Sequence, residues 1–265
     1  MANTPVVAQP GTPPGPPVPP APGLAGVQWM SKPDPTQFST VCPPGLEYLA
    51  SLDQILVHQV IELAEVLTGF ETKNRYALKN SLGQQVFFAM EESSCLMRNC
   101  CHQDRGFILH LTDNFGQEVI RVVREFKCCA GCCWCANADC CAFEVTIEAP
   151  PGIPVGYMRQ SKTCWKPFYQ LLDANRSPIF EVQGPCCPCQ AICCTEDVQF
   201  EIISCQTNEK VGTLAKQWAG WFQEVCSKAN NFSVQFPRDL DVKLKAALIG
   251  GTFLIDFMFF EHQDN

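Results

Sequence analysis

The sequence predicts a mainly β protein, a closed or nearly closed antiparallel barrel with one hydrophobic helix at its C-terminal end. Three observations carry that prediction along the 265 residues: hairpin-shaped segments recur, cysteine-rich connectors fall between them twice in the same order, and the last long element is apolar on every side. Hairpins are expected where alternating residues flank a short turn of Gly, Asn or Asp, because those residues tolerate positive φ. Tyr76 to Phe87 has this form around Asn80-Ser-Leu-Gly83, and Phe107 to Ile120 has it around Asp113-Asn-Phe-Gly116. Phe168 to Val182 and Phe200 to Leu214 repeat the shape, with turns at Asp173-Ala-Asn-Arg-Ser177 and Thr207-Asn-Glu-Lys210. Cys95 to Cys101 separates the first two hairpins and Cys186 to Cys194 the second two, which points to an internal duplication. Closure into a barrel removes the unpaired edges that so many strands would otherwise expose.

Residues 1 to 44 hold 13 of the 21 prolines, and no charged side chain occurs before Lys32. Such a segment buries too little apolar surface to offset its chain entropy, so a disordered Pro-rich leader with PPII bias is expected. Its PxxP steps, Pro13 to Pro16 and Pro17 to Pro20, fit SH3 or WW surfaces, or serve as plain spacer. A single barrel domain is expected over residues 45 to 265. Within it, Leu46 to Leu67 mixes apolar residues in no single period and reads as short helical turns or strands.

The last element, residues 240 to 260, has a helical pattern with Asp239 or Asp241 placed to cap it. Ala246, Leu248, Ile249, Phe253, Leu254, Ile255, Phe257 and Phe260 make it apolar all round, and Asp256 is the one charge between Lys245 and Glu261. The apolar run of about 15 residues falls short of the roughly 20 that a bilayer span needs. Asp256 would also cost about 2 to 3 kcal/mol in hydrocarbon. A helix threading the barrel core is therefore the first reading. A membrane segment is the second: Lys243 and Lys245 precede the run and Glu261 and Asp264 follow it, as in a single pass with the C-terminus outside.

Hydrophobic residues make up 46% of the chain, charged residues 17%, and the net charge is -8. An acidic chain lacks the clustered Lys and Arg that neutralise phosphates, so no nucleic-acid partner is expected. Adhesion to anionic lipid cannot be purely electrostatic either, which leaves apolar surface or acyl chains as the route to a membrane. The 19 cysteines are densest from Cys128 to Cys141, where seven fall within fourteen residues. Disulfides, metal thiolates and thioester lipidation are the chemistries that use thiols at this density. Met1 to Ser31 lacks the basic and apolar regions of a signal peptide, which places the chain in the reducing cytosol and disfavours disulfides. Cys132-x-x-Cys135 with Cys186-x-x-Cys189 has the spacing of a tetrahedral zinc site, blurred by surplus thiols on either side. His58, His102, His110 and His262 show no ligand spacing and read as surface or turn residues.

Several long segments carry a resemblance: Cys42-Pro-Pro-Gly-Leu-Glu-Tyr-Leu49, Asp53-Gln-Ile-Leu56, Leu67-Thr-Gly-Phe-Glu-Thr72, Arg98-Asn-Cys-Cys101 and Ala149-Pro-Pro-Gly-Ile-Pro-Val-Gly-Tyr157. They continue through Phe232 to Pro237, Leu240-Asp-Val-Lys243 and Phe253-Leu-Ile-Asp-Phe-Met-Phe-Phe-Glu261. On these segments the chain, from about Cys42 to Glu261, resembles the phospholipid scramblase family, most closely a short-leader paralogue, and this resemblance carries expectations. It implies a tubby-like fold, about twelve strands closed around a C-terminal helix. It also implies ATP-independent, calcium-activated, bidirectional movement of phospholipids between leaflets. That is transport rather than bond chemistry, so no catalytic nucleophile is expected. The alternative is a palmitoylated lipid-binding or adaptor module without intrinsic scrambling.

The family's acylated motif falls on Cys132-Cys133-Trp134-Cys135, flanked by Cys128 and Cys129, and implies palmitoylation and attachment to the cytosolic face of the plasma membrane. This chain interrupts the family's tighter run with Trp134 and Ala136-Asn-Ala-Asp139. The family's calcium loop aligns with Lys228 to Asp239. Calcium takes about 6 to 8 oxygens, with carboxylates typical at the first, third and last loop positions. Those positions are Lys228, Asn230 and Asp239 here, so Asn230 and Asp239 are the candidate ligands and calcium binding is expected to be weak or lost. Asp239 reads equally as a helix cap, and the alternation around Val234 and Phe236 before Pro237 reads as a strand. The segment aligned with the family's nuclear-import signal, Gly212 to Gly220, retains only Lys216, so nuclear import is not expected. Trp218 and Trp221 are expected to pack or to sit at an interface.

Overall fold

The computed structural model describes residues 27–33, 42–60, 73–101, 104–131, 134–164, 166–185, 198–217 and 231–259. Within them lie twelve strands: β1 (Gln54–Gln59), β2 (Arg75–Lys79), β3 (Gln85–Glu92), β4 (Phe107–Thr112), β5 (Glu118–Arg124) and β6 (Glu144–Glu148). The second six are β7 (Pro154–Gln160), β8 (Phe168–Asp173), β9 (Pro178–Gln183), β10 (Val198–Ser204), β11 (Lys210–Gln217) and β12 (Asn231–Gln235). Each strand pairs antiparallel with the next, and β12 pairs with β1 to close the ring. The predicted architecture, a closed twelve-stranded antiparallel barrel around a C-terminal helix, is the one the chain adopts. A 3-10 turn (Leu46–Leu49) precedes β1, a short helix α1 (Cys95–Cys101) joins β3 to β4, and α2 (Val242–Phe259) follows β12.

Three of the five tight hairpins share one device. Asn80 Oδ1 accepts from the N–H groups of Leu82 (3.0 Å) and Gln84 (2.9 Å). Asp113 Oδ1 does the same for Phe115 (2.9 Å) and Gln117 (3.0 Å), and Asp173 Oδ1 for Asn175 and Ser177 (2.8 Å each). The fourth turn residue then takes a positive φ: Gly83 (79°), Gly116 (72°) and Arg176 (63°), with Gly152 (91°) and Asn208 (57°) serving the other two hairpins. A register shift beside each turn adds a β-bulge, which strengthens the local twist of the flanking strands.

The β6–β7 hairpin stands between the two predicted hairpin pairs and lacks their sequence signature, because its turn is Pro150-Pro-Gly152 with no Asn or Asp. The connector Cys95 to Cys101 is a helix, and Leu46 to Leu67 begins with the 3-10 turn and β1. Its remainder, residues 61–67, lies outside the described residues, as do the PxxP steps, the Cys186 to Cys194 connector, Trp218, Trp221, His102 and His262. His58 and His110 sit on β1 and β4, half-buried on strands rather than in turns. In the segment read as leader, Met30 donates its N–H to the Gln85 carbonyl (2.9 Å) and packs against the core.

Helix α2 runs inside the barrel. Ala246, Leu248, Ile249, Phe253, Leu254, Ile255 and Phe257 are each at most 1% exposed, and Asp256 is buried with them. Phe260 lies outside the described residues. Two glycines let the helix approach the wall: a Cβ at Gly250 would strike Ile147 and Val122, and one at Gly251 would strike Met158. From the wall side, Gly156 leaves room for Ala247. The cap is Asp241, whose Oδ1 accepts from the Lys243 N–H (2.8 Å), because the helix begins at Val242 and Asp239 stands too far upstream. No helix among the described residues is long and apolar enough to cross a membrane.

Candidate functional site at the thiol-bearing end

In a closed meander of antiparallel strands, every odd-to-even connection leaves one end of the barrel and every even-to-odd connection leaves the other. The five tight hairpins are all even-to-odd, so the longer connections share the opposite end. Nine of the eleven described cysteines lie on those longer connections, the exceptions being Cys42 and Cys205. Cys95 to Cys101, which in sequence separates the first two hairpins, and the described cysteines of the Cys128 to Cys141 cluster therefore lie at one end in space. The end also carries exposed Leu96 on α1 and exposed Phe126 and Trp134 on the β5–β6 loop.

Buried charge supports this end from beneath. Arg105, at the entry to β4, donates from Nε to Glu91 Oε1 (2.8 Å) and from Nη2 to Glu91 Oε2 (3.1 Å). Burial alone would raise the Glu91 carboxyl, but the Arg105 hydrogen bonds and charge, with help from Ser93 and the Asn74 N–H, outweigh it and hold the pKa below its usual range. The Arg105 guanidinium also stands 4.6 Å over the Phe257 ring of α2. Arg124 lies between Phe107 (5.3 Å) and Phe143 (4.1 Å), and Tyr76 donates its hydroxyl to Asp256 Oδ2 (2.7 Å). The last turns of α2 are thus tied to β2, β4 and β5 under the thiol loop.

The loop itself has a defined path. Lys127 Nζ donates to the carbonyls of Asp139 (2.7 Å) and Ala142 (2.9 Å), joining the two stems of the loop. Arg159 on β7 pairs with Asp139 (2.7 Å), and that hydrogen bond and charge hold the carboxyl below its usual range. Trp134 donates its indole N–H to the Cys164 carbonyl (3.1 Å), which links the β5–β6 loop to the β7–β8 loop while leaving the ring 60% exposed. Ala136 turns inward and is buried, while Cys135 beside it is exposed.

Cys128, Cys129 and Cys135 are exposed. Cys132 and Cys133 lie outside the described residues. Adjacent thiols meet in pairs, Cys128 with Cys129 and Cys140 with Cys141, each at 3.6 Å between sulfurs. The hydrogen bond and charge of Cys128 push the Cys129 thiol up, and Cys140 does the same to Cys141.

Of the two residues proposed for calcium, Asp239 does not share this end. Asp239 is exposed in the turn between β12 and α2, at the barrel's opposite end, and Asn230 lies outside the described residues. The stretch between them, Asn231–Gln235, is strand β12, paired on both sides with β1 and β11, so its backbone is committed to ladder bonds. Among the described residues, no three His, Cys, Asp or Glu side chains gather as a metal-holding group. The buried charges Glu91, Arg105 and Arg124 were not legible as a site, because an isolated charge at a strand end has the sequence signature of a solvated residue.

A twelve-stranded barrel filled by its own C-terminal helix, with thiols and apolar side chains on one rim, defines the class. The chain belongs to the scramblase family, whose model matches residues 32–262. It is 49% identical over 239 residues to human phospholipid scramblase 1, covering 90% of this chain and 72% of that one. It is 46% identical over 263 residues to human phospholipid scramblase 2, covering 98% and 80%, and 44% identical over 235 residues to human phospholipid scramblase family member 5, covering 88% and 84%. A solved structure of a protein from Arabidopsis thaliana aligns with a TM-score of 0.42 and 10% identity over 81% of this chain and 98% of that one.

Proposed function

We propose that this protein moves phospholipids between leaflets in both directions without ATP, held to the cytosolic face of the plasma membrane by acyl chains on Cys128, Cys129, Cys132, Cys133 and Cys135. The observation that supports this most is the gathering of exposed thiols with Leu96 and Trp134 on one rim of a barrel from the scramblase family. Acyl chains add about 0.8 kcal/mol per buried CH2, so one chain gives marginal attachment and two give stable anchoring. Several outward thiols on one face allow two chains to enter the same leaflet. Calcium enters as a weak ligand, since Asp239 is the one carboxylate among Lys228, Asn230 and Asp239.

A second reading, a lipid-binding or adaptor module that moves nothing, is favoured by one observation: α2 fills the barrel, so among the described residues lipid has no route through the interior. Dithionite quenching of fluorescent phospholipid in liposomes carrying the acylated protein separates the two. Scrambling exposes inner-leaflet probe and quenches beyond the outer half. Quenching that stops near one half, with the protein still bound, assigns the adaptor role.

A further inference from the structure

Among the described residues, every exposed large hydrophobic side chain is at an end of the barrel and none is on its outer wall. Leu96, Phe126 and Trp134 belong to the thiol-bearing end. The other three, Leu82 (81% exposed), Phe115 (66%) and Ile153 (57%), belong to the opposite end, one on each of three successive tight hairpins: β2–β3, β4–β5 and β6–β7. Scattered surface apolar residues need no explanation, but segregation to one sector of one rim does.

The form of the three tips narrows what they meet. Leu82 and Phe115 occupy the same turn position, each held by an Asn80 or Asp113 side chain and followed by a positive-φ glycine, so they project from rigid mounts. Neighbouring tips stand two strands apart, about 10 Å at ordinary strand spacing. Three separate prongs do not make the contiguous, desolvated patch typical of a protein interface. Nor do they attract by charge. The turns 80–84 and 149–153 contain no ionisable side chain, and in 113–117 the sole one, Asp113, is 2% exposed and spent on its own turn. The two remaining tips differ, with Arg176 on β8–β9 and Glu209 on β10–β11.

We propose that the Leu82, Phe115 and Ile153 tips form a second lipid-contact surface, at the end of the barrel away from the thiols, which immerses in the interfacial region of a phospholipid bilayer without acylation or anionic headgroups. Uncharged, separately mounted apolar side chains enter a zwitterionic interface individually, each displacing water without desolvating a charge. The proposal rests on the reading of the protein as one that meets phospholipid, and not on its acyl anchor or its scrambling.

The test uses the full chain purified without acylation and floated with neutral phosphatidylcholine vesicles. The wild type should bind, and Leu82→Ser, Phe115→Ser and Ile153→Ser together should lower the partition coefficient roughly tenfold or more, with Phe115→Ser alone in between. Glu209→Ser, on the β10–β11 tip that lacks an apolar side chain, should change it less than about twofold. Binding should hold from about 0.1 to about 0.5 M salt. Equal binding of the triple variant and the wild type overturns the proposal, as does absence of wild-type binding, an equal loss in the Glu209→Ser variant, or binding that appears with anionic lipid alone. Self-association of the wild type that the triple variant abolishes, with vesicle binding unchanged, assigns the tips to a second copy of the chain instead. Because the acylation and scrambling assays use acylated protein, their failure leaves these outcomes distinct.

Discussion

Arg105 and Glu91 meet inside the barrel wall at 2.8 Å, with side chains 1% and 0% exposed. Breaking such a pair on one side leaves a buried charge without its partner, a loss of about 3 to 5 kcal/mol. Arg105→Met should therefore lower the melting temperature sharply, and Glu91→Gln added to it should restore part of the loss. A single variant that melts with the wild type would show that the pair does not support the end of α2.

The two glycines of α2 should respond differently to alanine. Gly250 faces branched side chains on strands, Ile147 and Val122, which have little room to yield, whereas Gly251 faces the flexible end of Met158. Alanine gains about 1 kcal/mol of helix propensity at either site. Overpacking costs about 1 to 3 kcal/mol where neighbours cannot move, so Gly250→Ala should destabilise and Gly251→Ala should be close to neutral. Denaturant midpoints for both variants check the order.

His110 accounts for a pH dependence of stability. Its hydrogen bond with Glu118 (2.7 Å), the largest effect, raises the imidazole above its usual pKa, with Glu92 adding to it at 2.9 Å. Burial alone would raise Glu118, but His110 and Arg121 bring it down to about 2. The raised histidine stabilises the fold below its unfolded pKa and loses that contribution as pH climbs through its folded value. The depressed carboxylate stabilises above its unfolded pKa and loses that as pH falls toward about 2. Both act together between about pH 4.5 and about pH 6.5. The stability difference between wild type and His110→Gln, about 1 kcal/mol or less for partly exposed groups, should be largest there and shrink by about pH 9. A difference that grows with pH would contradict this.

Calcium titration by calorimetry should give weak heats, with no micromolar site. A micromolar affinity abolished by Asp239→Ala would make that carboxylate a ligand after all.

Much of the fold was legible because its signals are local. Asn80-Ser-Leu-Gly83 and Asp113-Asn-Phe-Gly116 declare their turns by residue chemistry alone, and the apolar run through Phe253 and Phe257 declares a buried helix by lacking a polar face. The β6–β7 turn uses prolines to the same end and gives no such signal. The candidate site was legible in its thiols but not in its assembly. That Cys95 and Cys128 share an end follows from strand parity, which requires every strand to be counted, β6 and β7 included. The Arg105–Glu91 pair and the Trp134 bond to Cys164 are long-range pairings with no periodic trace in the chain.

Hydroxylamine-sensitive acyl exchange on protein from membranes bears most directly on the central claim, that the thiol-bearing end is the membrane anchor. The wild type should show multiple exchanged acyl groups, and Ser at Cys128, Cys129, Cys132, Cys133 and Cys135 should remove most of them and turn stable attachment into weak, reversible binding, read as a smaller share of protein in the membrane fraction. Exchange that persists in that variant, or its absence in the wild type with membrane attachment intact, would contradict the claim.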